Sequence, residues 1–142
     1  MAREYIPVAV ERLVRERANH RCEYCQSPSN ISSAPFSLDH IYPDSLGGSS
    51  DENNLALACS FCNLAKSDKT HALDPETEHL IAIFHPRQDI WSEHFRWNEE
   101  GLSVVAFTPT GRATLLALGL NRVELQNLRR VLMRSELHPP RD

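Results

Sequence analysis

The stretches CEYC (22–25), LDHIYPDSLGG (38–48) and NNLALACSFCNLAKSDK (53–69) decide how this chain is read. They hold all four cysteines as two Cys-x-x-Cys pairs, Cys22 with Cys25 and Cys59 with Cys62. Four thiolates delivered in pairs can close tetrahedrally around zinc, and a site closed by four sulfurs has no open position, so it is structural. The competing reading is four buried or redox-active cysteines, and paired spacing on both sides favours the metal. The gap between the pairs leaves room for a working loop and strand, and within it and just beyond lie Asp39, His40, Asn54 and Asn63.

Working outward, 142 residues with 41% hydrophobic content suit one domain with an ordinary core. We read 1–142 as a single domain: a helical segment over 1–21, the zinc-bound core over 22–70, and an extension over 71–142. No apolar run approaches a membrane span, and the first twenty residues carry charge throughout with no apolar signal region. The expectation is a cytoplasmic chain with no membrane partner, whose cysteines are reduced and metal-bound rather than paired in disulfides.

The element pattern is mixed. Pro7 suits a first helical turn, and Val10, Leu13, Val14, Arg17 and Ala18 continue with helical spacing to about Ala18. Phe36 to Ile41 predicts a short strand, Leu55 to Cys59 a second, and Ser60 is placed to cap a helix running to about Asp68. The polar stretches 26–35 and 42–54 between them are loops. Beyond Thr70, 74–78 opens an acidic segment and Leu80 to Phe84 is apolar. Trp91 to Trp97 and Leu102 to Phe107 read as a hairpin, with Trp91, Phe95 and Trp97 on one buried face. A helix follows from Thr110 to about Leu118, and Asn121 is placed to cap a last one through Arg134. Val123, Leu125, Leu128, Val131 and Leu132 supply its apolar positions, and the tail from His138 to Asp142 is not helical. The fold class is α+β.

The net charge of −4 is unfavourable for a nucleic-acid binder, but its distribution is uneven. Residues 26–58 contain no Lys or Arg, whereas basic groups gather on the first helix, at Lys66 and Lys69, and on the last helix at Arg129, Arg130 and Arg134.

The segments LDHIYPDSLGG, NNLALAC and CSFCNLAKSDK resemble the HNH nuclease motif, whose fold is the ββα-metal finger. His40, Asn54 and Asn63 stand at its three motif positions, a His-Asn-Asn variant, and flanking Cys-x-x-Cys pairs often hold a structural zinc in that family. The resemblance spans about a third of the chain. The segment from Trp91 onward resembles, more loosely, the C-terminal extension of small bacterial HNH proteins. The family implies a metal-dependent DNA endonuclease leaving 5′-phosphate and 3′-hydroxyl ends.

The chemistry agrees with that resemblance. In-line attack of water on phosphorus needs a base, and histidine titrates near neutrality, so His40 is the expected general base. The departing oxygen and the added phosphoryl charge need a cation. Asp39, neighbouring His40 on a strand and so facing the other way, and Asn63 on the helix are the expected ligands of that ion. A carboxylate and an amide oxygen suit hard Mg²⁺ or Mn²⁺. By resemblance, Asn54 orients His40 by fixing the loop or the ring. Lys66, one turn beyond Asn63, is a candidate phosphate contact, as are Lys69, Arg129, Arg130 and Arg134. The expected partner is DNA, and a homodimer is compatible with the sequence.

Each of these residues also has a plain role: strand-end histidine, turn acid, turn asparagines, solvated lysine. Jointly, with the zinc pairs, the nuclease reading outweighs those roles. The rival functions are a zinc-stabilised nucleic-acid-binding module without catalysis, which would not need Asp39, His40 and Asn63 together, and a protein-interaction domain built on the 91–107 hairpin. The other six histidines have no such company and read as surface or hydrogen-bonded core residues.

Overall fold

The computed structural model describes residues 5–141; residues 1–4 of the N-terminal segment and Asp142 of the tail lie outside the described residues. Two compact units are present, one comprising residues up to Thr70 together with His85–Asp89, the other His71–Phe84 together with residues from Ile90 onward. No helix among the described residues is long and apolar enough to cross a membrane.

In the first unit, α1 (Val8–Arg17) starts after Pro7, whose carbonyl accepts from the amides of Val10 and Glu11. Proline thus sits one position before the helix, where its fixed φ leads in and its carbonyl begins the ladder. Val14 is the buried side chain of this helix. Arg17 turns towards a strand: its guanidinium donates to the carbonyls of Glu52 and Leu55, tying α1 to the start of β2 (Leu55–Ala58).

That strand runs antiparallel to β1 (Ser37–His40), with Asp39 opposite Ala56 and His40 opposite Leu55. All four residues of β2 are buried, so the strand forms the floor of the unit. The helix α2 (Ser60–Lys66) follows at once. Its cap is Cys59 rather than Ser60: the Cys59 sulfur accepts from the Cys62 amide, so a cysteine takes the place of the usual hydroxyl. The strands and helix are in the order the ββα resemblance implies.

In the second unit, β3 (His71–Leu73) and β4 (Leu80–Ala82) form a hairpin. The sequence reading missed β3 because the acidic run 74–78 looks like an opening rather than a turn. Asp74 holds that turn, accepting from the Glu76 amide and the Thr77 hydroxyl, and its buried carboxylate takes two hydrogen bonds from Arg112. The long strand expected from Trp91 is instead a 3₁₀ turn over Trp91–Glu93 followed by β5 (Phe95–Trp97), paired with β6 (Val104–Ala106).

Helix α3 (Pro109–Leu118) is capped by the Thr108 hydroxyl and ends on Gly119 at φ 58°, a left-handed position that suits glycine. Helix α4 spans Val123–Arg134. Asn121 does not cap it: its amide bridges the backbone of Val104, accepting from the N–H and donating to the carbonyl. Leu125 and Leu132 are buried as expected, but Val123 and Val131 are exposed, and Arg129 occupies the remaining core position of α4.

The molecule is thus α+β, with small antiparallel strand pairs, helices and a four-cysteine cluster.

Candidate active site and four-cysteine centre

The cysteine pairs meet. The sulfurs of Cys22, Cys25, Cys59 and Cys62 all lie within 4.8 Å of one another, all four residues are buried, and none is in a disulfide. Cys25 and Cys59 Sγ are 3.7 Å apart, against about 3.8 Å for two ligands of a tetrahedral zinc with Zn–S bonds of about 2.3 Å. Hydrogen bonds from the other three cysteines hold Cys59 far below the usual thiol range, while burial pushes Cys22 well above it. Thiols so crowded cannot ionise together without a cation, and a zinc-type ion fits the donor set.

The first turn is braced by backbone and side chain. The Cys25 amide donates to Cys22 Sγ, the Glu23 amide to the Leu57 carbonyl, and the Leu57 amide to Glu23 Oε2. Glu23 also pairs with Arg87, which comes from the returning 85–89 segment.

Beside this centre opens a cleft of about 320 Å³, lined by Asp39 and His40 from the end of β1, Pro43, Asp44 and Ser45 from the following loop, and Asn63, Leu64, Ser67 and Asp68 from α2 and its end. The structure therefore brings Asp39, His40 and Asn63 to one cavity. Asp39 is 3% exposed. Its Oδ2 accepts from the Tyr24 hydroxyl at 2.7 Å and its Oδ1 from the Lys66 ammonium at 3.3 Å. Burial pushes the carboxyl above its ordinary range, opposed by Lys66 and Tyr24. His40 is 4% exposed, and its Nε2 is hydrogen-bonded to Ser50 Oγ at 2.9 Å. That hydroxyl can donate or accept, so it fixes the ring without fixing the tautomer.

Asn54 acts on the loop. Its side chain accepts from the Tyr42 amide at 2.8 Å and donates to the carbonyls of Tyr42 at 3.0 Å and Ser49 at 2.7 Å. The loop that follows His40 is thereby closed at its two ends. Gly48 closes it further: a Cβ there would lie 1.8 Å from the Tyr42 carbonyl oxygen.

Two of the expected phosphate contacts are misplaced. Lys66 is 1% exposed, bonded to Asp39 and at 2.9 Å to the His40 carbonyl, so it is an internal cation. Arg129 is 2% exposed; it donates to the carbonyls of Leu102 and Leu120 and stacks over Trp97. In both cases helical spacing alone carried the expectation, and spacing does not tell an inward face from an outward one. Lys69, Arg130 and Arg134 are exposed. Tyr24 and Ser50, which hold Asp39 and His40, were not singled out in the sequence. The one signal for Tyr24 was its place inside the first cysteine turn.

Asp39 and Asn63 line one cleft together with Asp44 and Asp68, and carboxylates and amide oxygens are the donor types that a hard divalent ion takes. Residues 22–69 match the family model described as HNH endonuclease. That stretch is an HNH endonuclease domain. The match runs from the first cysteine through α2, so the HNH domain covers the cysteine centre and the whole of the cleft wall, and lies within the first unit. No curated protein and no solved structure matches the chain.

Proposed function

We propose that the HNH domain hydrolyses DNA phosphodiester bonds with a divalent metal, Mg²⁺ or Mn²⁺, while a zinc ion at the four cysteines serves structure alone. The observation that carries this reading is the convergence of Asp39, His40 and Asn63 on one cleft. The divalent ion, when bound, supplies a positive charge for the phosphoryl and leaving oxygens.

The side chains divide the remaining work. His40 accepts the proton of the attacking water, its ring steadied by Ser50. Asp39 and Asn63 would hold the ion from two elements, and the bonds from Tyr24 and Lys66 keep the carboxylate from turning away. Asn54 acts at one remove, holding closed the loop that supplies Pro43, Asp44 and Ser45 to the cleft. Lys66 places its charge inside, between Asp39 and the backbone of His40, so exposed cations such as Lys69, Arg130 and Arg134 are left to bind the DNA backbone.

A plasmid-cleavage assay with Mg²⁺ or Mn²⁺ tests this. His40→Ala should lose roughly two to four orders of magnitude in rate while keeping its zinc. Raising the pH should restore part of the rate; added metal should not. Rescue by metal alone would make His40 a ligand, and no cleavage by the unaltered protein would leave a zinc-stabilised binding module.

A further inference from the structure

Both bonds on the Asp39 carboxylate come from segments that carry the cysteines. Tyr24 lies between Cys22 and Cys25, and Lys66 lies one helical turn beyond Cys62 on the helix that Cys59 caps. Resting on the catalytic reading above, the geometry points to Tyr24 as a positioning residue that couples the two metal centres: the ion held by the four cysteines sets the aim of Asp39, and with it the affinity of the cleft for a divalent ion.

The steps of this coupling are local. The first cysteine turn is closed by the Cys25 amide on Cys22 Sγ and by the Gln26 amide on the Cys22 carbonyl. An ion held by all four cysteines would fix the turn against the start of α2. From that turn the Tyr24 side chain, fully buried, reaches Asp39 Oδ2 at 2.7 Å. An aromatic side chain has only two rotatable angles before its hydroxyl, so a shift of the turn is passed on rather than absorbed. Solvent cannot replace the bond, because Tyr24 and Asp39 are both buried.

A carboxylate has about four acceptor sites. Tyr24 engages one on Oδ2 and Lys66 one on Oδ1, which fixes the carboxylate plane while leaving each oxygen capacity for a metal. A phenylalanine would fill the same space without the cost of burying a hydroxyl, so the hydroxyl is accounted for by its bond to Asp39. Outer bonds of this kind orient metal ligands, and their loss typically weakens metal binding about 10–100-fold.

Coupling between two sites is reciprocal, which supplies a test free of catalysis. Zinc affinity of the intact chain is measured by equilibrium competition with a chromogenic chelator, with and without saturating Mg²⁺, alongside Mn²⁺ binding by electron paramagnetic resonance, in the absence of DNA. In the unaltered protein Mg²⁺ should tighten zinc binding about fivefold or more. Tyr24→Phe should keep about one zinc per chain and its circular dichroism. It should bind Mn²⁺ about tenfold or more weakly, and its zinc affinity should no longer respond to Mg²⁺. If Tyr24→Phe binds Mn²⁺ as tightly as the unaltered chain and keeps the Mg²⁺ response, Tyr24 is core packing and the coupling is refuted, while the catalytic reading stands. If the unaltered chain binds no Mn²⁺, the catalytic reading and the coupling fall together.

Discussion

Replacing Lys66 by methionine removes the ammonium hydrogen-bonded to a buried carboxylate and keeps most of the side-chain volume. Lys66 and Asp39 are 1% and 3% exposed, with Nζ 3.3 Å from Oδ1 and 2.9 Å from the His40 carbonyl. Removing one partner of a buried pair leaves the other charge uncompensated, which costs about 3–5 kcal/mol. The loss is bounded above because Asp39 can take up a proton instead. Burial already raises its folded value, and Lys66 is the largest influence opposing that rise. A carboxyl with a raised folded value contributes stability at low pH that is lost as pH climbs through that value. In Lys66→Met the value rises further, so the penalty relative to the unaltered protein should be greatest near pH 8 and shrink towards about pH 5. Urea denaturation of both proteins at the two pH values, each loaded with zinc, measures the difference directly. A penalty below about 1 kcal/mol at pH 8, or one that grows on acidification, would refute an ion pair between Lys66 and an ionised Asp39. Lys66→Met with Asp39→Asn together should cost less than Lys66→Met alone, since the stranded charge is gone.

Metal analysis should find about one zinc per chain, and Cys→Ala at any of the four positions should cause unfolding or insolubility, because metal binding here is folding energy. Gly48→Ala should destabilise the chain by at least about 1–3 kcal/mol in the same urea assay, since its Cβ would meet the Tyr42 backbone. In the second unit, Arg112 holds the Asp74 carboxyl below its ordinary range. The stability this adds is present above about pH 4 and lost as pH falls through the folded value, so Arg112→Met should flatten the acid limb of a melting-temperature profile. Neutralising Lys69, Arg130 and Arg134 should lower the salt slope of DNA binding by up to about one unit per residue that contacts a phosphate, whereas Arg129→Lys should cost stability and leave that slope unchanged.

What the sequence made legible is what chemistry confines to a few residue types. Paired cysteines announce a four-cysteine centre, and the two short strands, read as Phe36 to Ile41 and Leu55 to Cys59, stood out between polar loops. The cleft residues Asp39, His40 and Asn63 were legible through the motif they form. The errors arose where a residue's type and its surroundings disagree. Lysine and arginine are seldom fully buried, yet Lys66 and Arg129 are, held by a carboxylate and by backbone carbonyls distant in sequence. Ser60 and Asn121 are good capping types, but a sulfur had already taken the first cap and a strand backbone had claimed the second side chain. Tyr24 and Ser50 act through tertiary bonds, which periodicity cannot encode.

The return of residues 85–89 to the first unit bears on how this module could travel between genes. The family match ends at residue 69, which suggests a cassette that recombination could cut out with a single crossover after Thr70. Such a piece would carry every cysteine and every cleft residue yet leave Arg87 behind, stranding Glu23 on the first cysteine turn without its counter-charge. An HNH module taken from this chain keeps that ion pair only if it runs through Asp89, carrying the 71–84 hairpin with it.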